Sequence, residues 1–123
     1  MSQGSVIVRA VGVAALAAAV AARAATDDAL FARYAAAIQA TVMQNWSRPD
    51  GAAPGLSCVL QVEQIPGGEV IKVQNGSPCN ADPATRTSIE QAVMKASPLP
   101  YQGYEKVFQR TIQFNFRYDG QGR

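Results

Sequence analysis

The chain has 123 residues, 48% of them hydrophobic and 16% charged, which is enough for one compact domain plus a short extra segment. Lysine and arginine total 11 against 9 acidic residues, for a formal charge of +2, and the basic residues are scattered where a nucleic-acid module would cluster them on one face. Histidine is absent, which removes the commonest general base near neutral pH and the commonest metal ligand, so hydrolytic and metal-centred mechanisms are disfavoured and no cofactor or metal is expected.

Residues 1–9 carry Arg9 and the amino terminus, and 10–22 form an uninterrupted run of alanine, valine, leucine and one glycine. Ala22-Arg23-Ala24 then places small residues at the two positions a signal peptidase reads, ahead of the polar Thr26-Asp27-Asp28. The expectation is a signal peptide over 1–24, cleaved after Ala24, and a periplasmic domain over 25–123. The competing reading is an uncleaved inner-membrane anchor, because extending back through Val6-Ile7-Val8 gives about 17 residues, the least a span needs; Arg9 and the alanine richness speak against it. Loss of 1–24 removes Arg9 and Arg23 and leaves nine basic against nine acidic residues, so gross electrostatic steering is not expected.

Thr26 or Asp27 can cap a helix, and the acidic pair suits the positive end of its dipole. Leu30, Tyr34, Ile38 and Val42 then recur every fourth residue, with Phe31, Ala35 and Ala37 beside them, predicting one apolar helical stripe that ends near Trp46. Arg48-Pro49-Asp50-Gly51 stops it. After a small-residue linker, Cys58, Leu60 and Val62 alternate with Val59, Gln61 and Glu63, the period of a strand with one buried face. Ile65-Pro66-Gly67-Gly68-Glu69 reverses the chain into Val70-Ile71-Lys72-Val73, a hairpin, and Asn75-Gly76-Ser77-Pro78 reads as a connection to Cys79.

Asp82-Pro83 supplies a capping side chain before a proline at the first helical position, predicting a helix to about Ala96 with Ile89, Ala92, Val93 and Ala96 inward and Arg86, Glu90 and Lys95 in water. Ser97-Pro98-Leu99-Pro100 breaks it. Tyr104–Phe108 allows one helical turn. Ile112, Phe114, Phe116 and Tyr118 then alternate with Thr111, Gln113, Asn115 and Arg117, a strand with an apolar inner face and a polar outer one, so the helices must cover a single side of the sheet. The fold class is α+β: a three-stranded antiparallel sheet with two to three helices packed on one face, in the order α-β-β-α-(α)-β.

Cys58 and Cys79 are the only cysteines, and an even count in an exported chain of this size reads as one disulfide. A redox-active pair is the alternative, though such pairs usually sit as Cys-X-X-Cys at a helix start. A carboxylate-dependent hydrolase using Glu63, Glu69 or Glu105 with Asp119 is a further alternative, but no motif places any two of them together. The chain is therefore read as no enzyme.

Several stretches resemble the C-terminal domain of TolA and, more distantly, that of TonB. These are Trp46 with Arg48-Pro49 after the first helix, Leu60-Gln61-Val62 with Pro66-Gly67-Gly68-Glu69-Val70 at the hairpin, and Ala92-Val93 before Pro98-Leu99-Pro100. The most specific are Tyr104-Glu105-Lys106-Val107-Phe108 and Phe114-Asn115-Phe116. The resemblance runs from about Tyr34 to Tyr118 and implies a protein-binding module of the Gram-negative Tol-Pal envelope system. The partners it implies are TolB- or Pal-like components and bacteriocin or phage proteins, with no nucleic acid, and with a membrane only if the N-terminal segment stays uncleaved. TolA carries a membrane-spanning helix and a long stalk before this domain, whereas only residues 25–33 separate the signal reading from the domain here; the inherited property is expected to be the binding surface. A small exported adaptor or inhibitor of a secretion or phage-related component is the alternative with the same fold.

Each rim of a three-stranded sheet offers unpaired amides and carbonyls to an extended segment, so strand addition is the available recognition mode. The expected contact residues are Thr111, Gln113, Asn115 and Arg117 with their backbones, since their outward side chains are uncharged apart from Arg117. Tyr101, Tyr104 and Trp46 are read first as packing residues and only second as partner contacts.

Overall fold

In the computed structural model the described residues are 26–120, so the segment read as a signal peptide lies outside them. Helix α1 occupies residues 26–44 and is followed by strands β1 (Leu56–Gln64) and β2 (Val70–Cys79), helix α2 (Pro83–Ala96), a 3-10 turn (Glu105–Val107) and strand β3 (Thr111–Tyr118). All pairings are antiparallel and the sheet order is β2-β1-β3, which places the most apolar strand in the middle. This is the α+β order expected from the sequence.

The stripe on α1 buries Tyr34, Ile38 and Val42 against the sheet, while Phe31 at its margin stays exposed. The Asn45 N–H donates to Val42 O at 3.0 Å and that of Trp46 to Met43 O at 3.2 Å, tightening the last turn before Arg48-Pro49 carries the chain away. In β1 burial alternates without a break, with Leu56, Cys58, Leu60, Val62 and Gln64 inward. Gln64 is polar yet 1% exposed, and it is held there by two bonds from its Nε2, 2.8 Å to the Tyr34 hydroxyl and 2.9 Å to Gln109 O. Burial pushes the Tyr34 hydroxyl pKa up, partly offset by the Gln64 bond.

The turn between β1 and β2 is fixed from outside. Gly68 adopts φ +94°, and a Cβ there would lie 2.3 Å from Leu99 O, so only glycine fits against the Pro98-Leu99 segment. Leu99 N–H donates back to Gly68 O at 2.8 Å. Strand β2 is longer than the sequence reading allowed: it continues through Asn75-Gly76-Ser77-Pro78 to Cys79. The Cys58–Cys79 disulfide accounts for this extension, because the bond has a sequence separation of 21 and pins Cys79 opposite Cys58 in the ladder. The turn-forming residues between are absorbed by a register shift between Cys58 and Leu60.

Asp82 caps α2 as read, accepting from the Thr85 N–H at 2.7 Å, and that backbone bond holds its carboxyl below the usual carboxylate range. The inward face of α2 is Ile89, Ala92, Val93 and Ala96. The core of both helices and the sheet is closed by Leu99, Ile112, Phe116 and Tyr118.

Candidate functional site: the free rim of β3

The two rims of the sheet differ. On β2, register shifts fall at both ends of its pairing with β1, and the Val70 N–H is taken by Ser97 Oγ at 2.9 Å. Asn75 bonds to Glu90 of α2. Strand β2 is thus an irregular rim with one outward amide already occupied.

Strand β3 pairs with β1 in one continuous register, Leu56 opposite Tyr118 through Glu63 opposite Thr111, without a bulge. The Gln64 N–H donates to Arg110 O at 2.8 Å and the Gly55 N–H to Tyr118 O at 3.0 Å, which fixes the phase of the ladder. In an antiparallel pair the direction of the backbone groups alternates with every residue. Ile112, Phe114, Phe116 and Tyr118 therefore spend their amides and carbonyls on β1, and those of Thr111, Gln113, Asn115 and Arg117 turn to the open side. The side chains alternate in step: Ile112, Phe116 and Tyr118 are buried under the helices, and Thr111, Gln113 and Arg117 are exposed on the uncovered face. Asn115 is half-buried because its Oδ1 accepts from Ser57 Oγ at 2.9 Å.

One flank of α1 stands over this rim. Gln39 donates from Nε2 to Arg117 O at 3.2 Å, the last outward carbonyl of β3, and its Oε1 is buried without a partner among the described residues. One turn further on, Met43 and, just past the end of α1, Trp46 lie with Tyr118 at the end of the strand. Trp46 packs edge-on against Phe116 at 4.9 Å and Tyr118 at 5.3 Å and donates from Nε1 to Ser88 Oγ at 2.9 Å, which fixes the indole. The Arg48 guanidinium bonds to the Tyr118 hydroxyl and lies 5.3 Å from the centroid of its ring. Met43, Trp46, Arg48 and Tyr118 together line a cleft of about 210 Å³.

This organisation is that of a known family, and the model for the TonB C-terminal domain matches residues 31–116. The chain belongs to the TonB C-terminal family. The solution structure of TolAIII bound to a peptide derived from the N-terminus of TolB is similar to this TonB C-terminal domain in fold. The TM-score is 0.55 at 23% identity, over 67% of this chain and 69% of that one. No curated protein matches the chain.

The residues singled out in the sequence are spread over the domain. Cys58 and Cys79 form the disulfide. Thr111, Gln113, Asn115 and Arg117 share the open rim of β3. Tyr104 packs against Tyr34 at 5.3 Å and Tyr101 against Phe108 at 5.1 Å, so both tyrosines brace the loop before β3. Glu63 lies on the uncovered face of β1, and Glu105 accepts from the Gly103 N–H at 2.9 Å in the 3-10 turn. No group of three or more acidic or cysteine residues placed to hold a metal occurs among the described residues, and none of their helices is long and apolar enough to cross a membrane. Sequence reasoning did not find Gln39 or Arg48 as parts of the rim; a polar residue flanking the apolar stripe of α1 was the only sign of the first.

Proposed function

We propose that this TonB C-terminal domain is a non-catalytic, periplasmic protein-binding module of the Tol-Pal type. In this reading it takes an extended segment of a partner as a fourth strand along β3. The observation that carries the proposal is the contrast between the rims: β3 is regular and turns the backbone groups of four residues outward, of which the Arg117 carbonyl is engaged by Gln39, whereas β2 is broken by register shifts and has its Val70 amide occupied. The solved relative holds a peptide derived from TolB, which makes a TolB-type segment the first partner to test. Thr111, Gln113, Asn115 and Arg117 would contribute main-chain bonds, each worth about 0.5–1.5 kcal/mol net, with side-chain contacts supplying specificity.

Proline at Gln113 separates the rim from the ladder. The Gln113 amide faces away from β1, so proline leaves the β1–β3 bonds in place, removes one outward donor and puts a ring where the added strand must lie. The Gln113→Pro chain is expected to melt within a few degrees of wild type and to bind the TolB N-terminal peptide at least about tenfold more weakly by calorimetry. Equal affinity in a folded Gln113→Pro chain would exclude β3 as the docking strand.

A further inference from the structure

The cleft at the end of β3 has a chemical character that main-chain pairing does not require. Its walls are the Trp46 indole, the Met43 thioether and the Tyr118 ring, and its polar element is the Arg48 guanidinium. Among the described residues the contacts of this guanidinium are with a phenol hydroxyl and the face of the same ring, both uncharged. Arg48 is exposed, so its remaining donors can meet an incoming acceptor.

The register of β3 says which part of an added strand meets the cleft. Tyr118 uses its own backbone groups on β1, so an added residue opposite Tyr118 forms a non-hydrogen-bonded pair with it. In such a pair the side chains are on the same face and closest, with Cβ atoms about 4.5–5.5 Å apart. That face is the one covered by α1, where Met43 and Trp46 stand. A side chain at this position runs along the Tyr118 ring toward Arg48. At about 210 Å³ the cleft holds one side chain.

We infer that this cleft anchors an acidic side chain, glutamate or aspartate, carried by the segment that adds to β3, with its methylenes on Trp46 and Met43 and its carboxylate on Arg48. The inference rests on the rim reading above and adds to it the chemistry of the partner segment. Charge complementarity selects this occupant: an apolar side chain would fill the walls but leave the guanidinium facing it, and a basic one would be repelled.

The test is selection of short linear peptides from a random library on the full chain, run in parallel on wild type, Arg48→Met and Arg48→Glu. Glutamate or aspartate is expected to be enriched at one position on wild type, to lose that enrichment on Arg48→Met, and to give way to lysine or arginine on Arg48→Glu. A selected acidic peptide should bind Arg48→Met about tenfold more weakly than wild type and Arg48→Lys with an intermediate loss. On wild type its affinity should fall with salt more steeply than that of the same peptide carrying glutamine; this comparison needs no variant to fold. Acidic enrichment that survives Arg48→Glu, or an apolar residue selected at that position on all three chains, overturns the inference. Peptides that dock on β3 with no acidic preference would do so while leaving the rim reading intact, and failure of every peptide to bind would remove both.

Discussion

Replacing Phe116 with alanine is expected to lower the free energy of unfolding by about 3–5 kcal/mol. The side chain is fully buried in β3 directly opposite Cys58, and its ring packs against Trp46 at 4.9 Å. Alanine there leaves a void between the sheet and the end of α1 that neither can close, because the disulfide holds Cys58 and the bond to Ser88 holds the indole. Since small domains carry about 5–15 kcal/mol in all, the variant should be close to unfolding at physiological temperature. Urea denaturation followed by Trp46 fluorescence measures this. A loss under about 1 kcal/mol would mean that the core is not organised around Phe116.

Reduction of Cys58–Cys79 has the next largest effect. Opening a loop with a sequence separation of 21 restores chain entropy to the unfolded state, worth about 3 kcal/mol in the loop-closure model. The consequence extends to binding, because the bond pins the far end of β2 to β1 and thereby keeps β1 in place as the strand on which β3 is templated. The urea midpoint should therefore shift down in reductant, and the Cys58→Ala/Cys79→Ala double variant should behave like the reduced chain. An unchanged midpoint on full reduction would favour a redox role over a structural one.

Much of this architecture was legible because the local signals agree. The period of two over Ile112–Tyr118 states which face of β3 is covered, and in a regular ladder the same alternation states which backbone groups face the rim. Asp82-Pro83 marks the start of α2 by capping chemistry alone. The far half of β2 was not legible, since Asn75-Gly76-Ser77-Pro78 has the composition of a turn and becomes strand only through the cross-link at Cys79 and the bulge that absorbs it. Nor was the buried Gln64, which reads as another polar residue at the end of a strand until Tyr34 and Gln109 O are brought to it. The rim itself shows the same division. Its strand is written in the pattern, while Gln39, Arg48 and Trp46 join it only through the crossing of α1 over β3, which no local period encodes.

Docking along β3 requires its outward amides to be open in the free chain and paired in the complex. Amide hydrogen exchange resolved by residue measures this directly, with and without the TolB N-terminal peptide. The Gln113 and Asn115 amides should exchange quickly alone and become protected on binding, while the Phe114 and Phe116 amides, bonded to β1, are slow in both states. Protection that appears on β2 and leaves Gln113 and Asn115 unchanged would contradict it.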